Sequence, residues 1–370
     1  KITSPVNFIS AQKKSEISIN TIRTFTSYFG QNSNAKLLKY GVKSYTVVYE
    51  TNWKGQVIKA SGLVLIPSGV TQSASILSIQ HGTSFAKDEA PTVIGGLTGI
   101  ELFASAGYIV FMPDYIGYGS SRNIFHPYYD KNYSADAVID MISAGKQFLK
   151  KEGVSFNEKI FLAGYSEGGY VTLAAAAKIE SQSSSDIKLA AVAAGAGGYN
   201  LNHMLKGITS TQHYGYPAYL AFVLMAYNNT YDWNKPLGYF FRKQYADALS
   251  KYMGGAYEGW SINQHLTTNL PTLFDQEFYG RLKKPEGEPT LKAALKSNTI
   301  TGWKTNTPIR LYHGTNDEII PFENSEVTLK SFHDAGSRDV TLTPISNGTH
   351  GSSFFPMLKL VLPWLVQVNY

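Results

Sequence analysis

Gly164-Tyr165-Ser166-Glu167-Gly168 follows the apolar run Lys159-Ile160-Phe161-Leu162-Ala163 and leads into an alanine-rich stretch, 169–178, with helical composition. A serine set between two glycines, with a buried strand before it and a helix after it, describes a turn too tight for side chains at the flanking positions. Such a turn lifts the serine hydroxyl clear of the sheet, where a base and a substrate can reach it. The five residues alone are common. Strand, turn and helix together make Ser166 a candidate nucleophile.

Outward from that turn, runs at 44–50 and 57–66 read as strands joined through Thr51-Asn52-Trp53-Lys54-Gly55 as a hairpin. A βαβ rhythm follows: strand 76–80 ending at His81-Gly82, helix 97–106, strand 108–113 ending at Asp114, helix 135–150 and strand 160–163. Strand 189–194 comes next. From 199 to 299 the rhythm stops, and the chain is rich in Tyr, Phe, Trp and Asn without a clear strand. It resumes with strand 309–312, helix 323–335, strand 340–344 and a closing helix after His350. Alternation on both sides of the interruption predicts an α/β fold, a mostly parallel central sheet with helices on both faces. Its core would be 1–198 with 300–370, and its mainly helical inserted cap 199–299. Residues 12–38 read as a polar lead-in, mainly helical or irregular.

Composition narrows the chemistry. In 370 residues, 43% are hydrophobic and 16% charged, which describes a well-buried globular protein. The net charge of +6 comes without any basic run longer than two residues, so a nucleic-acid partner is not expected. The absence of cysteine excludes disulfides, zinc–thiolate sites and a thiol nucleophile. Gly195-Ala196-Gly197-Gly198 lacks the third glycine of a dinucleotide fingerprint, because Asn200 stands there, and no P-loop is present. No metal and no organic cofactor is implied. The longest strongly apolar stretch, 216–227, is shorter than the ~20 residues of a membrane helix. The chain opens on Lys1 without a methionine or an apolar signal core, which leads us to expect a processed precursor or a trimmed chain. Low charge and abundant Ser, Asn and Tyr suit a secreted or cell-envelope protein, periplasmic or surface-exposed, and a bacterial source is expected. Asn132, Asn228 and Asn347 head glycosylation sequons, triplets that often arise by chance.

A serine hydroxyl needs a neighbouring base, and with this kind of turn the partners follow in the order Ser, acid, His, on loops after later strands. The run Ile309-Arg310-Leu311-Tyr312 ends in His313-Gly314-Thr315-Asn316-Asp317, which places Asp317 in a turn past a strand end. Glu318 is its competitor, and Asp334 falls inside a predicted helix. His350, between Thr349 and Gly351 and opening the last helix, stands where the base belongs. His81 and His313 precede glycines at strand ends and read as loop braces. In this scheme His350 takes the Ser166 proton and returns it to the leaving alcohol, while Asp317 fixes the imidazole tautomer. Acidification should lower activity by protonating His350. The oxyanion needs two backbone N–H groups, one from Glu167 and one from Thr83 in His81-Gly82-Thr83-Ser84, with Ser84 as the alternative. No chemical role is assigned to the Glu167 side chain.

With those residues in place, the chain resembles the secretory lipase family of α/β-hydrolases. The likeness runs through Tyr49-Glu50-Thr51-Asn52, Gln80-His81-Gly82-Thr83, Pro113-Asp114-Tyr115 with Gly117-Tyr118-Gly119, His126-Pro127-Tyr128, the Ser166 turn, and His313-Gly314 with Asp317 and Pro321. The resemblance implies the α/β-hydrolase fold and a secreted esterase or lipase with a lid inserted after the sixth core strand. Asp114 and His126 precede the serine turn and read as structural, organising the loop beside the oxyanion site.

Within the insertion, Tyr214, Tyr216, Tyr219, Phe222 and Met225 are the candidates for an apolar wall against a small-molecule or lipid ester, equally readable as the insertion's own core. Carboxylic ester hydrolysis through a Ser166–His350–Asp317 triad and an acyl-enzyme is the expected activity. A serine peptidase of the same fold would carry the same turn and triad, and a non-catalytic binding protein on the same scaffold is the third reading.

Overall fold

The computed structural model describes residues 6–28, 32–94, 97–182 and 186–369. From the amino end the chain lays down three antiparallel strands, β1 (Phe8–Ile17), β2 (Val42–Trp53) and β3 (Gln56–Pro67), with α1 (Ile19–Tyr28) between the first two. The β2–β3 hairpin closes on Lys54 and Gly55, both at positive φ (50° and 83°), and Gly55 N–H donates to Asn52 Oδ1 at 2.9 Å. Two left-handed residues give the turn whose twist matches its strands, so both strands run further than sequence alone suggested.

The remaining strands are β4 (Ala74–Gln80), β5 (Ile109–Pro113), β6 (Phe156–Tyr165), β7 (Lys188–Gly195), β8 (Ile309–Gly314) and β9 (Val340–Ile345). Among the described residues all strands form one sheet, in the order β1-β2-β3-β5-β4-β6-β7-β8-β9, parallel from β5 onward. β4 is buried along its whole length, as a strand covered on both faces must be. On one face lie α3 (Lys131–Lys151) and α4 (Glu167–Ser181). On the other face the core includes α2 (Glu101–Ser105) and the carboxy-terminal helix. Between β7 and β8 the chain runs through seven helices: α5 (Leu201–Ser210), α6 (Pro217–Thr230), α7 (Lys243–Tyr252), α8 (Gly259–Asn263), α9 (Leu270–Leu273), α10 (Gln276–Lys283) and α11 (Pro289–Asn298). The core then finishes with α12 (Glu323–Asp334) and α13 (Phe354–Asn369).

Two expectations need correction. The lead-in begins inside β1, a strand that sequence reading missed because Phe8–Ile17 carries polar residues on both faces and is mostly exposed. It is an edge strand guarded by Lys13 and Lys14, and charged edges of this kind resist pairing with another chain. Residues 29–31 of that lead-in lie outside the described residues. The helix expected at 97–106 is reduced to α2, since Gly99 sits at φ +95° and Glu101 Oε2 accepts from the Thr98 and Gly99 N–H groups at 3.1 and 3.0 Å. Because β1 is additional, the helical stretch expected as an insertion follows the seventh strand of this chain.

The sheet also explains where a site can form. The chain leaves β4 toward β5 on one side and returns past it to β6 on the other, with Gln80 paired to Gly164. Loops leaving the carboxyl ends of β4 and β6 therefore diverge at a crevice, the usual ligand position in such sheets.

One half-buried acid links β2 to α3: Thr51 donates its hydroxyl to Asp140 Oδ2 at 2.5 Å. Burial, reinforced by Asp136, pushes the Asp140 carboxyl from 3.8 up to about 7 against the pull of the Thr51 bond and Lys178. Between those pH values the folded protein holds a proton that the unfolded chain has released, so stability falls as pH rises through the window. Asp140→Asn keeps an acceptor for Thr51 and cannot ionise. It is expected to add about 2 kcal/mol at pH 8 and to change little at pH 3, read from urea midpoints.

Candidate active site

Ser166 occupies a backbone conformation that L-residues avoid, φ 61° and ψ −126°. Neighbouring elements hold it there. Ser166 N–H donates to Gly195 O of β7 at 2.8 Å, and its carbonyl accepts from Gly169 and Tyr170 N–H at 2.9 and 3.2 Å. The flanking glycines are packing requirements: a Cβ on Gly164 would lie 2.2 Å from Gly168 O, and one on Gly168 would lie 2.0 Å from Gln80 O. Gln80 braces the same contact, accepting from Thr172 Oγ1 of α4 at 2.7 Å and donating to Ser78 Oγ at 2.7 Å.

The three side chains separated by up to 184 residues meet at this point. His350 Nε2 is 2.8 Å from Ser166 Oγ, and His350 Nδ1 is 2.7 Å from Asp317 Oδ2. An ionised carboxylate only accepts, so Nδ1 carries the proton and Nε2 presents its lone pair to the serine hydroxyl. The Asp317 side chain is fully buried in its turn. Its Oδ1 accepts from Ile319 and Ile320 N–H at 3.0 and 2.8 Å, and His313 Nε2 lies 3.2 Å from Oδ2. Burial alone would raise this carboxyl, but the bonds from His313 and His350 outweigh it and hold it well below the usual carboxylate range. His313 is itself placed by Ser325 Oγ at 2.6 Å. Glu318, the competing acid, turns to the His350 backbone instead, accepting its N–H at 3.0 Å.

Gly82 approaches the serine closely: a Cβ there would meet Ser166 Cβ at 3.6 Å. Among the described residues, neither the Thr83 nor the Glu167 backbone N–H has a protein acceptor. Thr83 is partly open to solvent whereas Ser84 is buried. Among the described residues, Asp114 makes no hydrogen bond to Ser166, His350 or Asp317. Its carboxylate ties loop 90–94 to β3, taking Thr92 N–H at 2.9 Å and the Thr92 and Ser61 hydroxyls at 2.6 Å each.

Beside Ser166 opens an almost wholly apolar cavity of about 120 Å³. Tyr214 and Tyr219 line it. Tyr216, Phe222 and Met225 do not. Tyr216 reaches Glu318 Oε1 at 3.3 Å, Phe222 stacks on Tyr128 with ring centres 4.5 Å apart, and Met225 borders a separate surface hollow. The reason is helical phase: Tyr219, Leu220, Val223 and Leu224 share the cavity face of α6, and Phe222 and Met225 point elsewhere. Sequence reading missed the wall formed by Leu201, Met204, Leu205 and Ile208 of α5 with Leu291 and Leu295 of α11. Their i, i+3, i+4, i+7 spacing was a legible signal of an apolar stripe, though silent on what it faces.

Residues 92–367 match the secretory lipase family. The chain belongs to that family. Among its sequence relatives are Lipase 10 of Candida albicans, 23% identical over 266 residues that make up 70% of this chain and 55% of that one, and Lipase 1 of the same fungus, 26% identical over 238 residues (62% and 48%). The chain thus spans about half the length of the curated relatives it matches. These relatives are fungal and lend no support to the bacterial source expected above. Solved structures agree on the α/β-hydrolase fold. A Legionella pneumophila protein described as a candidate hydrolase has a TM-score of 0.88 at 23% identity, covering 98% of each chain. The rice cell wall degrading esterase LipA from Xanthomonas oryzae reaches 0.82 at 23% identity, covering 98% of this chain and 97% of that one. Candida antarctica lipase A in its closed state reaches 0.72 at 16% identity, covering 98% and 81%.

Gly168→Ala forces α4 and β4 apart and is expected to cost about 3 kcal/mol of stability, measured as a loss of thermal midpoint together with the Ser166 site. An unchanged melting curve would contradict the packing argument.

Proposed function

We propose that this protein hydrolyses carboxylic esters of short acyl chains through an acyl-enzyme on Ser166. The observation that carries the reading is the unbroken chain Asp317–His350–Ser166, ending at an apolar cavity. His350 Nε2 takes the hydroxyl proton as Oγ attacks the carbonyl carbon, and Asp317 stabilises the imidazolium formed. The oxyanion settles against the N–H groups of Thr83 and Glu167, each worth ~3 kcal/mol at the transition state. The proton then passes to the departing alcohol, and water repeats the sequence on the acyl-enzyme. Helices α5–α11 act as a cap that keeps the acyl group dry.

Cavity size sets the substrate class. An apolar cavity of 150 Å³ holds benzene, so about 120 Å³ accommodates roughly five carbons beyond the ester carbonyl, below the common range of ligand pockets. Family membership supports secretion of this activity, and among the described residues no helix is long and apolar enough to cross a membrane.

Ser166→Ala should abolish turnover of p-nitrophenyl butyrate, and Asp317→Asn should reduce kcat by 10³–10⁴ through loss of the working tautomer, about the scale known for such triads. Turnover surviving in Ser166→Ala sinks the mechanism. Across acyl lengths, kcat/KM should rise about fourfold per methylene from acetyl to hexanoyl and fall at least tenfold by palmitoyl. A maximum at palmitoyl contradicts the size limit, and preferential cleavage of amino-acyl anilides would favour the peptidase reading.

A further inference from the structure

Beside the proton chain lies a second titratable pair that the proposed reaction does not use. Glu167, the residue after the nucleophile, is 1% exposed, and its Oε1 sits 2.6 Å from Nε2 of His126, itself 6% exposed. His126 Nδ1 is 2.7 Å from Ile116 O. A carbonyl only accepts, so Nδ1 is protonated and Nε2 shares one proton with the Glu167 carboxyl. The other oxygen, Glu167 Oε2, is buried without a hydrogen-bond partner in the described structure. A carboxyl kept half-satisfied in the core is a poor device for stability, since a smaller apolar residue would leave nothing unpaired.

What the pair does accomplish is geometric. His126 belongs to the loop after β5, and three other side chains of that loop grip the loop after β4. Tyr115 donates its hydroxyl to His81 O at 3.0 Å, Tyr118 donates to Ser84 O, and Tyr128 shares a 2.9 Å bond with Thr83 Oγ1. The Tyr115 ring stacks on both His81 and His126, with centres 4.1 and 5.8 Å away. One aromatic bracket therefore holds both residues proposed above as oxyanion donors: Thr83 through Tyr128, and Glu167 through His126.

We propose that Glu167 and His126 are positioning residues for ester hydrolysis at Ser166, their hydrogen bond setting the spacing between the Glu167 and Thr83 N–H donors. This rests on the reaction proposed above. Donors aimed at a developing oxyanion act over tenths of an ångström, and a displacement near 1 Å costs about a hundredfold in rate. Charge is secondary to reach. A glutamine at 167 can donate from its amide to His126 Nε2, whereas an aspartate keeps the carboxylate but falls one methylene short.

The test measures kcat and KM for p-nitrophenyl butyrate, normalised to sites titrated to completion with diethyl p-nitrophenyl phosphate, so that misfolded protein is not counted. Glu167→Asp, Glu167→Ala and His126→Asn should each lower kcat per titrated site about a hundredfold with KM within threefold. Glu167→Gln should recover at least tenfold of that loss. Should Glu167→Ala give no titratable protein, Glu167→Asp and His126→Asn decide. The proposal is overturned if those variants keep kcat per site within threefold of the parent, if the loss falls in KM or titre alone, or if Glu167→Asp outperforms Glu167→Gln. Failure of the ester reading itself is separate, because it appears as a parent protein that neither titrates nor turns over.

Discussion

The backbone of Ser166 is the constraint on which the site depends. Its conformation costs about 1–3 kcal/mol and persists only because the surroundings leave no alternative. The bond to Gly195 O anchors the turn to β7, the start of α4 takes up its carbonyl, and two glycines let β4, β6 and α4 approach to backbone contact. Relaxing the turn would require separating strands at the centre of the sheet. The strain is thus balanced by the packing of the core, far more than by any single bond near the serine.

Around that fixed hydroxyl, electrostatics is arranged in layers. Asp317 is buried and would resist ionisation, yet two imidazoles and two backbone N–H groups converge on it and keep it charged. That charge in turn dictates which nitrogen of His350 is protonated. His313, whose sequence position suggested only a loop brace, braces the acid itself. A wholly buried carboxylate with this many donors also has little freedom to swing away, so the imidazole is oriented as well as polarised.

Around Glu167, the next residue in the chain, aromatic packing takes over. Tyr115, Tyr118, His126 and Tyr128 form a hydrogen-bonded bracket, and Phe222 of the insertion stacks against Tyr128 behind it. That stack links the position of α6 to the loop that carries Thr83. Tyr219 and Leu220 of the same helix face the cavity. A shift of α6 would therefore alter the cavity beside Ser166 and the Tyr128–Thr83 contact together, since a close-packed interface transmits small displacements.

Much of this was legible in the chain. Local signals reported the strand–Gly-x-Ser-x-Gly–helix unit, the alternation of strands and helices, and the strand-end turns bearing Asp317 and His350, because each is written in contiguous residues whose spacing obeys the backbone. β1 escaped because an exposed edge strand has no apolar face to betray it, and the α5 and α11 wall because a leucine stripe names no partner. Convergence of positions 166, 317 and 350, the pairing of Glu167 with His126, and the phase that sends Phe222 away from the cavity were decided only by the tertiary structure. Such contacts join residues far apart in sequence, and their distances follow from how the sheet twists and the helices pack, quantities that no local pattern encodes.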